Sequence, residues 1–203
     1  MLGGPVLLQA AEQALARGVR TRDIFGAVES IAGTGAAVLV MSYYNPVLRY
    51  GVDAFARDLA SAGGAGLITP DLVPDEGSEW IAASDAHELD RVFLVAPSST
   101  PERLALTAQA TRGFVYAASV MGVTGTRTSV GDAAERLVAD TRAAGAENVC
   151  VGLGVSTPDQ AAEIARYADG VIVGSALVRA LGPEGDLRAL ERTVAALSGA
   201  VGK

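Results

Sequence analysis

Short, wholly apolar runs alternate along this chain with longer stretches of helical periodicity. The runs fall at Ala36–Met41, Gly66–Thr69, Val92–Val95, Phe114–Ala117, Val149–Val151 and Gly170–Val173. They are rich in Val, Ile and Leu and do not alternate with polar residues, as expected of strands buried on both faces in a parallel sheet. Asp53–Ala62, Asp132–Ala144 and Leu187–Leu197 place apolar residues three and four apart with charges opposite, which predicts covering helices. Val6–Ala16 reads as a further helix, entered from a loop at Met1–Pro5. In Thr157-Pro158-Asp159-Gln160 the threonine is placed to cap, the proline suits the first helical position and the glutamine closes a capping box. Thr100-Pro101-Glu102 repeats the cap and proline. Strands each followed by a helical segment, with no dinucleotide fingerprint opening a first unit, predict an α/β fold of the (β/α)8 TIM-barrel family. About six of its eight strands are legible. By count the first βαβ portion is missing, and residues 1–203 read as one barrel domain.

Composition narrows the function classes. Half of the 203 residues are hydrophobic and 19% are charged, enough apolar content to bury a substantial core. A net charge of -7 and the absence of a basic block argue against nucleic acid as a partner. A single cysteine and a single histidine form neither an internal disulfide nor a zinc site of the usual kind. The longest aliphatic run, Ala36–Met41, is far shorter than the ~20 residues that span a bilayer, and the N-terminus lacks a signal pattern. The expectation is a cytoplasmic protein with no membrane contact.

Candidate chemistry sits in the loops after the strands. Gly152-Leu153-Gly154 follows the run ending at Val151, and Gly174-Ser175 follows the run ending at Val173. Each alone reads as the end of a tight βα turn. Together, in the last two units of a barrel, they favour a phosphate site, with a short helix over Ser175–Ala180 aiming its N–H groups at the anion. A third glycine-bearing loop, Gly122-Val123-Thr124-Gly125-Thr126, reads either as a lid or as a plain surface connection. Asp71, at a strand end in Thr69-Pro70-Asp71-Leu72, reads as a helix cap or a catalytic group. Tyr43 and Asn45 in Ser42-Tyr43-Tyr44-Asn45-Pro46 read as rim residues or as a polar turn closed by proline. Tyr116 reads as a site residue or as core with a locally satisfied hydroxyl. His87 reads as solvated, and Cys150 as inert core.

These motifs resemble the alpha chain of tryptophan synthase. The matching stretches are Gly4-Pro5 with Gln9–Leu15, then Ser42–Pro46, Pro70-Asp71-Leu72, Ser119–Gly125, Gly152–Ser156 and Val173–Ala176, in family order. The resemblance implies an eight-stranded barrel and a carbon–carbon lyase that cleaves indole-3-glycerol phosphate to indole and glyceraldehyde 3-phosphate by a retro-aldol reaction. It further implies a partner, the pyridoxal phosphate beta chain that receives indole, and neither cofactor nor metal in the alpha chain itself. Carried over by position, Gly154, Gly174 and Ser175 hold the substrate phosphate. Tyr116 lines the glycerol region, Leu153, Ile172 and Tyr43 contact substrate, and Thr124 belongs to the closing lid. Two family carboxylates have no counterpart: the acid/base glutamate falls before Met1, and Gly3 stands where the family places an aspartate for the indole nitrogen. The expectation is negligible turnover by this chain alone. The alternative function is a catalytically silent remnant that binds a phosphate ester or docks on the beta chain; an isomerase of a phosphorylated sugar is a third reading, opposed by the Gly122–Gly125 match. With leading strands missing, Ala36–Met41 and Gly170–Val173 are expected to form open edges that invite self-association or a partner.

Overall fold

A computed structural model of the protein describes residues 4–118, 127–152 and 154–202. The chain enters through α1 (Gly4–Ala16) and α2 (Asp23–Ala32), then lays down β1 (Leu39–Met41). Two helices follow, α3 (Tyr44–Tyr50) and α4 (Val52–Ser61), before β2 (Gly66–Ile68). A 3-10 turn at Pro74–Glu76 and α5 (Ser78–Ala86) lead to β3 (Asp90–Val92) and β4 (Leu94–Val95). The rest alternates: α6 (Pro101–Ala110), β5 (Val115–Ala118), α7 (Arg127–Ala143), β6 (Val149–Gly152), α8 (Pro158–Ile164), β7 (Gly170–Ile172), α9 (Ser175–Leu181) and α10 (Leu187–Ala200).

All strand pairs within these sheets are parallel, in the order β1-β2-β3 and β4-β5-β6-β7. The run expected as one strand, Val92–Val95, is instead shared between the two sheets. Its first part pairs with β2 and its last part with β5, with Phe93 between them. Thr69 N–H donates to the Val92 carbonyl on one side, and Tyr116 N–H donates to the Phe93 carbonyl on the other. The chain thus changes partners across one residue, as curvature toward a barrel requires. Among the described residues β1 pairs with β2 alone and β7 with β6 alone, so both ends of this incomplete barrel wall are edges.

Two helix-side cores back the wall. In α4, Val52, Phe55, Ala56 and Leu59 are buried at the spacing of one helical face. They meet Val40, Leu67, Trp80, Leu89 and Phe93. Behind the second sheet Val95, Ala117 and Val151 meet Leu104, Leu137, Val138, Ile164 and Leu197.

The predicted helix starts hold: Thr100 Oγ1 accepts from Arg103 N–H, and the full capping box forms between Thr157 and Gln160. Three expectations change. The helix placed at Val6 already begins at Gly4, because Pro5 lies where its missing N–H costs nothing. The Tyr43–Pro46 stretch is not a turn closed by proline; Pro46 occupies the first turn of α3, for the same reason. His87 is not freely solvated: its Nε2 lies 3.0 Å from Asp53 Oδ1, tying the end of α5 to the start of α4.

Candidate active site

Strand register decides which side chains face the hollow of the wall. Leu94, Tyr116, Cys150 and Gly170 form one row, and Ala118, Gly152 and Ile172 the row two residues further on. Because side chains alternate along a strand, these rows share a face and the intervening Val95, Ala117, Val151 and Val171 turn to the helices. The inner face therefore carries Tyr116 and Ile172, two of the residues proposed from sequence for substrate contact.

Tyr116 is 5% exposed and its ring leans across to β6. A Cβ on Gly152 would fall 2.4 Å from the Tyr116 hydroxyl oxygen and 2.9 Å from Ile172 Cβ. Gly152 is thus the gap into which the phenol fits. The spacing of the Gly152-Leu153-Gly154 motif points to turn glycines and does not reveal this role; the only sequence signal is a glycine still inside an apolar strand. Burial pushes the Tyr116 phenol above its ordinary range, so the group stays protonated at neutral pH as a hydrogen-bond donor. In the same row as Tyr116, Cys150 lies against Gly170, and burial, with a smaller contribution from Asp169, raises its thiol to about 11. That agrees with an unreactive thiol.

Gly152 and Ile172 are register partners, so the loops that leave β6 and β7 emerge side by side. Gly154 is exposed with φ +85°, a conformation that strains any other residue. Gly174 is the N-cap of α9, exposed, with nothing within 4 Å of where a Cβ would stand. Ser175 opens that helix, half-buried. Thr100, Thr157 and Asp186 cap α6, α8 and α10 through their side chains, whereas α9, like α2, α4 and α5, has no side-chain cap. The first N–H groups of a helix have no partner within it, and here no side chain of the N-cap residue takes them.

At the other end of the wall, Tyr43 follows β1 as the N-cap of α3 and is 48% exposed. It shares the rim formed by the C-terminal strand ends but lies at the opposite edge from Gly154 and Gly174. Asp71, beyond β2, caps α3 and not the turn that follows it: both carboxylate oxygens accept from Tyr44 N–H, at 2.9 and 3.1 Å. This cap spans 27 residues of sequence, which no local motif announces. Asp75 is paired with Arg103. Gly3, Leu153 and the lid candidate Gly122–Thr126, Thr124 included, lie outside the described residues.

A parallel β/α wall whose last two strands run into glycine loops beside the start of a helix defines a protein of the β/α-barrel class. Comparison with known proteins makes this specific. Residues 1–201 match the family model of the tryptophan synthase alpha chain. The chain is 67% identical over 181 residues to the tryptophan synthase alpha chain of Mycobacterium marinum, covering 89% of this chain and 67% of that one. It is 63% identical over 197 residues to that of Mycobacterium tuberculosis strain H37Ra, covering 96% and 73%. The fold agrees with a solved structure of Mycobacterium tuberculosis tryptophan synthase at TM-score 0.90 and 60% identity, over 98% of this chain and 76% of that one. An Aquifex aeolicus structure, 33% identical, superposes at TM-score 0.89. The chain belongs to the tryptophan synthase alpha chain family, carbon–carbon lyases that release indole from indole-3-glycerol phosphate.

Proposed function

We propose that Gly154, Gly174 and Ser175 hold the phosphate of indole-3-glycerol phosphate during the family's retro-aldol cleavage. The observation that carries this reading is the start of α9, uncapped by any side chain and open above Gly174. Backbone N–H groups there meet an anion without a side chain in the way, and Ser175 adds a hydroxyl donor. Tyr116 and Ile172 wall the glycerol portion from the inner face, and Tyr116 offers it a protonated phenol. Leu153 and Tyr43 are assigned further substrate contact, and Thr124 a place in the closing loop.

Cleavage requires a proton delivered to the indole carbon and another removed from a glycerol hydroxyl, each worth roughly 10²- to 10⁴-fold when a side chain is positioned for it. The phosphate grip supplies position, not protons. The beta chain of tryptophan synthase is the partner that takes the indole, and a biosynthetic role of this kind places the chain in the cytoplasm. One observation favours a second reading, a phosphate-ester-binding or beta-docking protein without turnover: Gly3 stands at the position of the family's aspartate. Indole release by the purified chain separates the two.

The phosphate assignment is tested by titrating an indolyl alkyl phosphate and its unphosphorylated alcohol. Gly174→Asp is expected to weaken the phosphate ester by about 100-fold or more, since a carboxylate both blocks and repels the anion. The melting temperature should not move, because the space is empty. Equal affinity of the parent for ester and alcohol would overturn the assignment.

A further inference from the structure

The two sheets meet at Phe93, and the cores behind them are separate. Phe93 packs in the first core and Val95 in the second, and among the described residues no buried residue is common to both. From the second half, among those residues, Ala110 at the end of α6 alone reaches across to pack on the first core. The backbone from Val92 to Leu94 is therefore a seam about which one sheet can rotate against the other unless side chains bridge it.

At the N-terminal end of the strands Arg91 makes that bridge. From β3 its Nε donates to the Ala110 carbonyl at 2.6 Å, and its Nη1 donates to Ser84 Oγ at 3.1 Å and Asp85 Oδ1 at 2.5 Å. Ser84 and Asp85 lie on α5, whose Trp80 and Ala83 belong to the first core, whereas α6 contributes Leu104 to the second. One guanidinium thus ties α5, β3 and the end of α6 together. Beside it the backbones of Arg91 and Arg112 exchange hydrogen bonds at 3.2 and 3.0 Å, and Arg112 pairs with Asp85 at 3.3 Å and Asp90 at 3.5 Å.

The Arg91 side chain is 12% exposed, so water screens its bonds little, and its planar fork meets several acceptors at once. A second ion pair across the seam, Asp75 with Arg103 at the rim, is about half exposed on both sides and contributes little. The proposed substrate site straddles the same seam. Gly154, Gly174, Ser175 and Tyr116 stand on the second half and Tyr43 on the first, so the fit of a ligand reaching from one to the other depends on the angle between the sheets.

We propose that Arg91 is a positioning residue for the reaction: it touches no substrate, and by bridging the seam at the far end of the strands it sets how far apart the two halves of the rim stand. The reading rests on the phosphate assignment at Gly154 and Gly174. Its test compares a ligand that spans the seam, 3-indolylpropyl phosphate, with glycerol 3-phosphate, which the second half holds alone, both titrated calorimetrically into the full chain. Arg91→Gln is expected to weaken the indolyl ester by about 5-fold or more, within the range by which residues remote from a ligand alter its binding. Glycerol 3-phosphate should stay within about a factor of two of the parent, the scatter of independent sites. Asp85→Asn removes the exposed partner shared by Arg91 and Arg112 and should shift the same ratio by a smaller factor, which keeps the test decisive where Arg91→Gln does not fold. Val138→Ala, a cavity in the second core away from the seam, should lower the melting temperature and leave both affinities unchanged. The proposal fails if the seam variants weaken both ligands equally or neither, or if Val138→Ala reproduces the split. A parent that binds the indolyl ester no better than its unphosphorylated alcohol overturns the phosphate assignment and this reading with it, whereas equal losses in the seam variants overturn this reading alone.

Discussion

The two halves of the wall solve the same packing problem with different materials. Behind β1–β3 the core is built around Phe55, Trp80 and Phe93, all fully buried, with Phe25 and Tyr50 stacked at its margin. Behind β4–β7 the buried hydrophobic residues of the core are Val, Ala, Leu and Ile, among the described residues, joined by buried Thr107 and Thr141 on α6 and α7. The rims differ in the opposite sense. At the first half a side chain, Asp71, closes the helix start above β1; at the second half the helix start above β7 is left bare beside a glycine. Rings clamp the helices of the first half, while the helix start proposed to hold phosphate in the second half carries no side-chain cap.

This contrast is easiest to break in the cores. Phe55→Ala should cost about 3–5 kcal/mol in urea unfolding, because the ring has no exposed surface and touches both Phe25 and Tyr50. Val151→Ala, buried to the same degree, should cost only about 2 kcal/mol. Equal losses would mean that the aromatic half carries no special share of stability.

A smaller effect sharpens the picture of the inner face. Gly152→Ala should destabilise by about 1–3 kcal/mol through overpacking against the Tyr116 hydroxyl and Ile172. Since the oxygen is the nearest atom, Tyr116→Phe introduced into that variant should restore part of the loss, whereas in the parent it should be close to neutral. Additive effects in this double-mutant cycle would show that the two residues do not share the space.

The smallest expected change concerns the rim of the first half. Asp71→Ala should cost about 1 kcal/mol, the value of a helix cap, and should speed hydrogen exchange at the Tyr44 amide specifically. An unchanged Tyr44 amide would place the cap elsewhere.

The strand runs, the helix caps and the glycine pairs after the last two strands were readable in the chain because each is a local pattern. Burial on both faces forces uninterrupted apolar runs, and a cap acts within three residues of its own helix. Those patterns were enough to read a β/α barrel with the Gly154 and Gly174-Ser175 loops in its last two units, and the motif stretches from Gly4 to Ala176 carried the resemblance to the family. Other features join residues that only the fold makes neighbours. Asp71 reaches Tyr44 across two strands, His87 reaches Asp53 from the far end of α5, and the Tyr116 ring occupies the space that Gly152 leaves. Periodicity determines which face of an element is buried; register and helix packing determine what it is buried against, because contact between elements depends on relative position that no short stretch of sequence encodes.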